Sequence, residues 1–116
     1  MTNQKDTVIV FITNGMGSSE DQSLKDKLVK TYLTLLPQMQ PLPVAICFYT
    51  DGVRLACDGS PVLDELSALE SSGVRLILCQ TCLNAYGLND KVRVGLVGGM
   101  GDIMTAMGQA DSVITL

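Results

Sequence analysis

Residues 60–82, SPVLDELSALESSGVRLILCQTC, contain one helix–turn–strand unit and decide the fold class. Ser60-Pro61 is typical of a helix start, with serine as the N-cap and proline at the first helical position. Gly73 can adopt the left-handed conformation that ends a helix. The apolar run at residues 74–78 then predicts a strand buried on both faces, and this strand leads directly into Cys79-Gln80-Thr81-Cys82.

Apolar runs and amphipathic stretches alternate in the same way on both sides of this unit. They predict four more strands, at residues 7–13, 44–49, 92–97 and 112–116, and three more helices, at about 24–36, before Gly87 and at about 102–109. Residues 53–57 could form one further helical turn. Five strands separated by four helices predict a single α/β domain over residues 1–116, a three-layer α/β/α sandwich around a five-stranded, mainly parallel sheet.

Composition excludes several classes of protein. The chain has 116 residues, 47% hydrophobic and 17% charged, which fits a folded core and excludes a disordered segment. A net charge of −4 without a basic cluster predicts no nucleic-acid partner. The absence of histidine removes Ser-His-Asp and Cys-His catalysis and the commonest zinc ligand.

The location of the protein is predicted from what its sequence does not contain. No apolar run approaches the roughly 20 residues of a spanning helix, and the first residues show no signal-peptide pattern. We therefore expect a cytoplasmic protein with no membrane partner. In that compartment its four cysteines are expected to be thiols, metal ligands or redox groups, not structural disulfides.

Cys79 and Cys82 are the candidate catalytic residues. The loops at residues 14–19, 50–59 and 79–82 should converge, because loops at the carboxyl ends of parallel strands form the ligand crevice. Cys79 ends the third strand, and Cys82 lies in the first turn of the next helix, where unpaired N–H groups favour a thiolate and lower its pKa. The i, i+3 spacing lets the two sulfurs approach each other. The alternative is two ordinary core cysteines, since free cysteine is among the most buried residue types.

The other two cysteines give weaker indications. Cys47 lies in the middle of the second strand and is predicted to be a core residue, whereas Cys57, in a loop near the crevice, has no defined role. The pattern C-x9-C-x21-C-x2-C contains only one knuckle pair, which disfavours a zinc or iron–sulfur site. We therefore predict no metal and no cofactor.

Three other features have two interpretations each. Gly98-Gly99-Met100-Gly101 could hold an anion on its amides, but tight turns with positive φ are the favoured interpretation. Arg54 could hold a thiolate or persulfide anion, although an exposed, solvated arginine is favoured. Three methionines at helical spacing, Met100, Met104 and Met107, form a stripe that predicts either core residues or a subunit interface.

Four stretches match a known family: VIVFITNGMGSS (8–19), TDGVRLACDGSPVLDELSALESSGV (50–74), LCQTCLNAYGL (78–88) and VGGMGDIMTAMGQADSVITL (97–116). Through them the chain resembles the DsrE/DsrF-like family of sulfur-relay type, and within it the C-terminal DsrE-like domain of YedF-type selenium-metabolism proteins. The cysteine motif followed by Gly87 and Leu88 is the most specific part. Gln80 departs from the pattern, because a glycine is expected there.

The resemblance implies a DsrE-like fold and a role in cytoplasmic sulfur relay, in which a cysteine persulfide passes between partner proteins. It implies that Cys79, eight residues before Gly87, is the carrier cysteine and that Cys82 is an additional cysteine of one branch. It also implies a homo-oligomer, a trimer or hexamer, and a sulfur-donor protein such as a TusA-like carrier or a cysteine desulfurase.

Three functions stay open at this point. The first is a sulfurtransferase, a persulfide carrier for sulfur or selenium. The second is a dithiol redox or thiol-sensing module in which Cys79 and Cys82 cycle between thiols and a disulfide. The third is a non-enzymatic oligomeric module whose crevice binds a small anion or the tail of a partner.

Overall fold

The computed structural model describes residues 6–116. This part of the chain contains five strands, β1 (Thr7–Phe11), β2 (Ala45–Phe48), β3 (Arg75–Cys79), β4 (Leu96–Gly98) and β5 (Ser112–Thr115). They alternate with four α-helices, α1 (Gln22–Leu35), α2 (Leu63–Ser71), α3 (Gln80–Tyr86) and α4 (Met100–Gln109). Two 3-10 segments, Leu36–Gln38 and Thr50–Ala56, follow α1 and β2.

The five strands form one sheet in the order β4-β3-β2-β1-β5, and all neighbouring strands are parallel. The predicted α/β class is confirmed, and the sheet is wholly and not only mainly parallel. The first three strands are buried over most of their length, which follows from their continuous apolar sequences.

Helices cover both faces of the sheet. On one face the Phe11 ring stacks on Phe48 at 5.8 Å and meets Tyr32 of α1 edge-on at 6.5 Å. On the other face Gly98 lies against Asp102 of α4 and Ile77 of β3. Because side chains alternate along a strand, these contacts place α1 and α4 on opposite faces. The predicted three-layer arrangement is therefore confirmed.

The starts of α2 and β4 are among the boundaries that differ from the prediction. The helix expected from Ser60 begins at Leu63, because the residues before it form a turn in which the Ser60 hydroxyl accepts the Val62 N–H at 3.2 Å. The fourth strand begins only at Leu96. Gly95 before it has a φ of 84°, which interrupts an extended backbone.

The chain just before β4 has a different role from the predicted one. Val92 forms an isolated antiparallel bridge with Cys57 and lies outside the parallel sheet. The helical turn expected at residues 53–57 exists as the longer 3-10 segment Thr50–Ala56. The loop after β2 is therefore anchored at its far end by a backbone pairing.

The methionine stripe of α4 is mostly outside the core. Met100 and Met104 are 45% and 64% exposed, while Met107 packs partly against the core. The core interpretation is therefore wrong for the first two methionines. No helix among residues 6–116 is both long and apolar enough to cross a membrane.

Candidate functional site

The Cys-x-x-Cys pair lies at the carboxyl end of β3. Cys79 is the last residue of the strand and the N-cap of α3, and its side chain is buried, with 1% of the residue exposed. Cys82 lies one helical turn later and is partly exposed. The Cys79 group is near enough to raise the pKa of the Cys82 thiol, and neither cysteine is in a disulfide. The expected approach of the two sulfurs is present, with one thiol accessible and one enclosed.

A backbone amide from a different loop contacts the accessible sulfur. The Thr50 N–H donates to Cys82 Sγ at 3.0 Å. Thr50 begins the 3-10 segment after β2, so this contact joins the second and third of the three loops that were expected to converge. The first loop meets the second at a polar crevice of about 220 Å³ that neither cysteine lines; its lining residues are Asn14, Gln22, Asp26, Arg54, Asp58, Gly59, Ser60 and Pro61.

Thr50 has an unusual backbone conformation. Its φ is +48°, in the left-handed region, and it is the one non-glycine residue among 6–116 with a positive φ. A β-branched residue is disfavoured there, so neighbouring contacts must hold it. The Thr50 hydroxyl lies 2.7 Å from the carbonyl oxygens of Ile12 and Tyr49 and donates its single proton to them. Sequence reasoning missed this residue, because no residue pattern distinguishes a threonine with positive φ.

Burial, not the helix start, determines the ionisation of Cys82. Desolvation raises the pKa of the Cys82 thiol, and the hydrogen bond with Cys79 and the charge of that group raise it further. The Thr50 N–H acts in the opposite direction and lowers the Cys82 pKa. The expectation that the helix start gives a lowered pKa is wrong for Cys82, because burial and the neighbouring Cys79 group both disfavour its thiolate.

Arg54 belongs to a polar group beside the pair. Its Nε lies 3.2 Å from Asp51 Oδ1, and its guanidinium carbon lies 4.4 Å above the centre of the Tyr86 ring. Desolvation and the carboxylate of Asp51 raise the pKa of the Tyr86 hydroxyl. Arg54 is therefore neither freely solvated nor bonded to a thiol; it is bound between a carboxylate and an aromatic ring.

The remaining cysteines are enclosed. Cys47 is 0% exposed in β2, which confirms it as a core residue, and burial raises its pKa. Cys57, left without a role by the sequence, is 2% exposed and donates its S–H to the Val53 carbonyl at 3.2 Å. Neither thiol is open to a partner in this structure.

The glycine-rich loop after β4 binds a carboxylate of the same chain, that of Asp102. Its three glycines do not have positive φ angles, so the interpretation as tight turns of that kind is wrong. The Asp102 carboxylate accepts the Gly99 N–H at 2.9 Å. A Cβ on Gly98 would lie 2.9 Å from Asp102 Oδ2, so this glycine is needed for close packing. The Gly99 amide, one of those that could have held an external anion, is therefore bound to an internal carboxylate.

Metal ligation finds little support in the side chains present. Within residues 6–116 no three Cys, Asp or Glu side chains come together in a group that could hold a metal ion.

Comparison with known proteins places this geometry in a family. The DsrE/DsrF-like family model matches residues 6–116. YchN from E. coli has the same fold, with a TM-score of 0.72, 20% identity, and coverage of 97% of this chain and 100% of that one. MTH1491 from Methanobacterium thermoautotrophicum, a protein of unknown function, gives a TM-score of 0.63 at 23% identity, with 96% and 99% covered.

A third structure, BT1422 from Bacteroides thetaiotaomicron, gives a TM-score of 0.60 at 15% identity, with 96% of this chain and 95% of that one covered. No curated protein matches the chain. At these identities the structures show a shared fold, whereas the family model covers nearly the whole sequence. The chain belongs to the DsrE/DsrF-like family.

Proposed function

We propose that this protein is a persulfide carrier, a sulfurtransferase that works through Cys82 and Cys79. The observation that carries the proposal is the placement of a partly exposed thiol one helical turn after a buried thiol at the carboxyl end of a parallel sheet. An accessible sulfur can meet a donor protein, and an enclosed sulfur can keep a reactive persulfide away from solvent. The family's general association with sulfur relay points in the same direction.

The chemistry requires two exchanges without net oxidation. The Cys82 thiolate attacks the terminal sulfur of a donor persulfide; the donor S–S bond breaks, the donor leaves as a thiolate, and Cys82 gains one sulfur. The Cys79 thiolate then attacks the outer sulfur on Cys82. The sulfur moves to Cys79, and Cys82 returns to a thiolate. Cys79 is then the carrier that the family resemblance implies, and Cys82 is a second carrier at the surface.

The same scheme extends to selenium, to the donor protein and to the oligomeric state. A selenium atom could move between the two thiols by the same exchanges. The donor would be a cytoplasmic persulfide protein such as a TusA-like carrier or a cysteine desulfurase. A trimeric or hexameric assembly is part of the proposal, and the exposed side chains of Met100 and Met104 are compatible with an interface between subunits.

A dithiol redox module is the second candidate, and the contact between the two thiols favours it as well. In this case an oxidant takes two electrons from the pair, the Cys79–Cys82 disulfide forms, and two protons are released. Attack by Cys79 on the inner sulfur of a Cys82 persulfide gives the same disulfide and releases HS⁻. The two candidates therefore differ in whether sulfur is retained on the protein.

Intact-protein mass spectrometry separates the candidates. The reduced protein is incubated with a cysteine desulfurase and cysteine, in the wild type and in Cys79→Ser, Cys82→Ser and Cys57→Ser. We expect one added sulfur, removable by a reductant, in the wild type and in Cys57→Ser. Cys82→Ser should load at least tenfold more slowly, since the buried thiol lacks direct access, and Cys79→Ser should hold the sulfur on Cys82.

Three outcomes would contradict the carrier. A Cys79–Cys82 disulfide without any sulfur adduct would support the redox module. Loading that is unchanged in the Cys79→Ser/Cys82→Ser double variant would remove the pair from the chemistry, and the absence of both products would leave a binding module.

A further inference from the structure

The loop after β2 is built around one backbone donor. The Thr50 N–H points at Cys82 Sγ at 3.0 Å, a distance at the short end for a hydrogen bond to sulfur. The residue that presents it is held at a φ of +48° by contacts of its own hydroxyl. Strain of this kind persists only where the surrounding structure over-determines it, and it concentrates at functional sites.

The surrounding contacts keep this donor in place. The Thr50 hydroxyl reaches the Ile12 carbonyl, just after β1, at 2.7 Å, and the Tyr49 N–H donates to the Phe11 carbonyl at 3.2 Å. Gly52 packs directly against that same carbonyl group, and a side chain there would collide with it. The loop is therefore fixed to the end of β1, while the sulfur it contacts belongs to α3. The two partners of the hydrogen bond are positioned by different elements.

We propose that Thr50 is a positioning residue whose backbone N–H stabilises negative charge on the Cys82 sulfur. The N–H favours the thiolate that attacks a donor, and it favours the same thiolate when Cys82 is the leaving group in the transfer to Cys79. A leaving thiolate that is stabilised departs faster, so one donor assists both exchanges. The side chain contributes by holding the backbone in its left-handed conformation and does not touch the sulfur.

This inference rests on the proposed function only in taking Cys82 as the thiol that first accepts sulfur. Its test uses iodoacetamide instead of a persulfide, so the two can fail separately. The rate of alkylation at Cys82 is followed by peptide mass mapping of the reduced protein between pH 6 and 10. The midpoint of the pH–rate curve reports ionisation, whereas a change in access alters the plateau.

Three variants define the expected result. In Thr50→Ala the backbone loses its hydroxyl anchors, so the midpoint should move to higher pH and the rate at pH 7.5 should fall by about threefold to tenfold. Thr50→Ser retains the anchors and should restore the wild-type midpoint. Thr105→Ala removes a hydroxyl that donates to the Gly101 carbonyl at 2.8 Å within α4, and it should leave Cys82 unchanged.

A measurement on the wild-type protein keeps the proposal testable if Thr50→Ala does not fold. In wild-type protein the NMR shift of the Thr50 amide proton should follow the same midpoint as Cys82 alkylation, and this titration should vanish in Cys82→Ala. A midpoint in folded Thr50→Ala equal to that of the wild type, or an amide shift that does not follow Cys82, would overturn the assignment.

Discussion

The loop after β2 and the loop after β4 lie at the same end of the parallel sheet, but their backbone N–H groups have different kinds of partner. After β4, the Gly99 N–H is bound at 2.9 Å by Asp102, a carboxylate of the same loop–helix unit. After β2, the Thr50 N–H is directed at Cys82 Sγ, which belongs to a different element. In the glycine-rich loop the Gly99 N–H is bound to the Asp102 carboxylate of the same unit. In the loop after β2 the Thr50 N–H is instead bound to a cysteine sulfur of the candidate site. Glycine content therefore does not indicate which loop offers an amide to a ligand.

The largest expected effect comes from changing how the loop after β2 packs. In Gly52→Ala the new Cβ would collide with the Phe11 carbonyl and lie 3.2 Å from the Ile12 nitrogen. Because these atoms belong to the backbone at the end of β1, they cannot move aside cheaply. We expect the free energy of unfolding to fall by about 3 kcal/mol, measured by urea denaturation.

The matched control lies in the other loop. A Cβ at Gly101 meets nothing within 4 Å, and the residue is helical. Gly101→Ala should therefore stabilise the protein by about 0.5–1 kcal/mol. Equal effects of the two substitutions would show that the loop after β2 is not pressed against β1.

A smaller effect is expected from opening the loop after β4. Asp102→Ala leaves the Gly99 N–H without its carboxylate, which should lower the free energy of unfolding by about 1 kcal/mol. The comparison variant is Asp64→Ala, which removes an exposed acidic residue from the first turn of α2 and should cost only a few tenths of a kcal/mol. Sulfate should stabilise Asp102→Ala more than it stabilises the wild type, because the Gly99 N–H can then donate to an external anion. Thermal unfolding with and without sulfate measures this difference, and an identical response would mean that the amide is not freed.

The contrast between the two loops also separates what the sequence could predict from what it could not. The succession of strands along the chain and their burial follow from apolar runs such as residues 7–13, since a continuous β-branched sequence favours a strand buried on both faces. The fourth strand was misplaced because Val92 and Val94 look like strand residues, yet their neighbour Gly95 has a backbone conformation that no strand adopts. Local composition does not reveal a pairing such as Val92 with Cys57, which depends on two distant segments.

The sequence predicts the positions of the two cysteines of the candidate site, but not their exposure or the groups that contact them. The spacing of Cys79 and Cys82 places both at the end of β3, and their contact follows from helical geometry. Which of them is exposed depends on how β3 and α3 are covered by the rest of the fold. The role of Thr50 depends on a positive φ and on a sulfur 32 residues away in sequence, so neither appears in the residue pattern.

The smallest expected effect is a loss of folding stability at alkaline pH. It is expected from the loop after β2, which contains a buried thiol, and not from the loop after β4. The loop after β2 ends at Cys57, whose pKa is raised by burial although the charges of Arg54 and Arg93 partly oppose this. A group with a raised pKa in the folded state keeps its proton after the unfolded chain has lost it. The stability that Cys57 contributes is therefore complete below the ordinary thiol pKa of about 8.5 and is lost as pH rises through the higher value of the folded state.

This pH dependence can be assigned to the thiol by substitution. Urea denaturation in a reductant should show a lower free energy of unfolding at pH 9.5 than at pH 7.5 in the wild type. Cys57→Ala should be less stable at pH 7.5 by about 1 kcal/mol, because it leaves a small cavity, but it should lose less between the two pH values. Met104→Ala, on the exposed face of α4, removes no titrating group and should follow the wild-type pH dependence. If Cys57→Ala and Met104→Ala lose stability equally with pH, the buried thiol after β2 does not account for the alkaline loss. The other groups with raised pKa values would then have to carry it, namely Cys47, Cys82, Tyr32 and Tyr86.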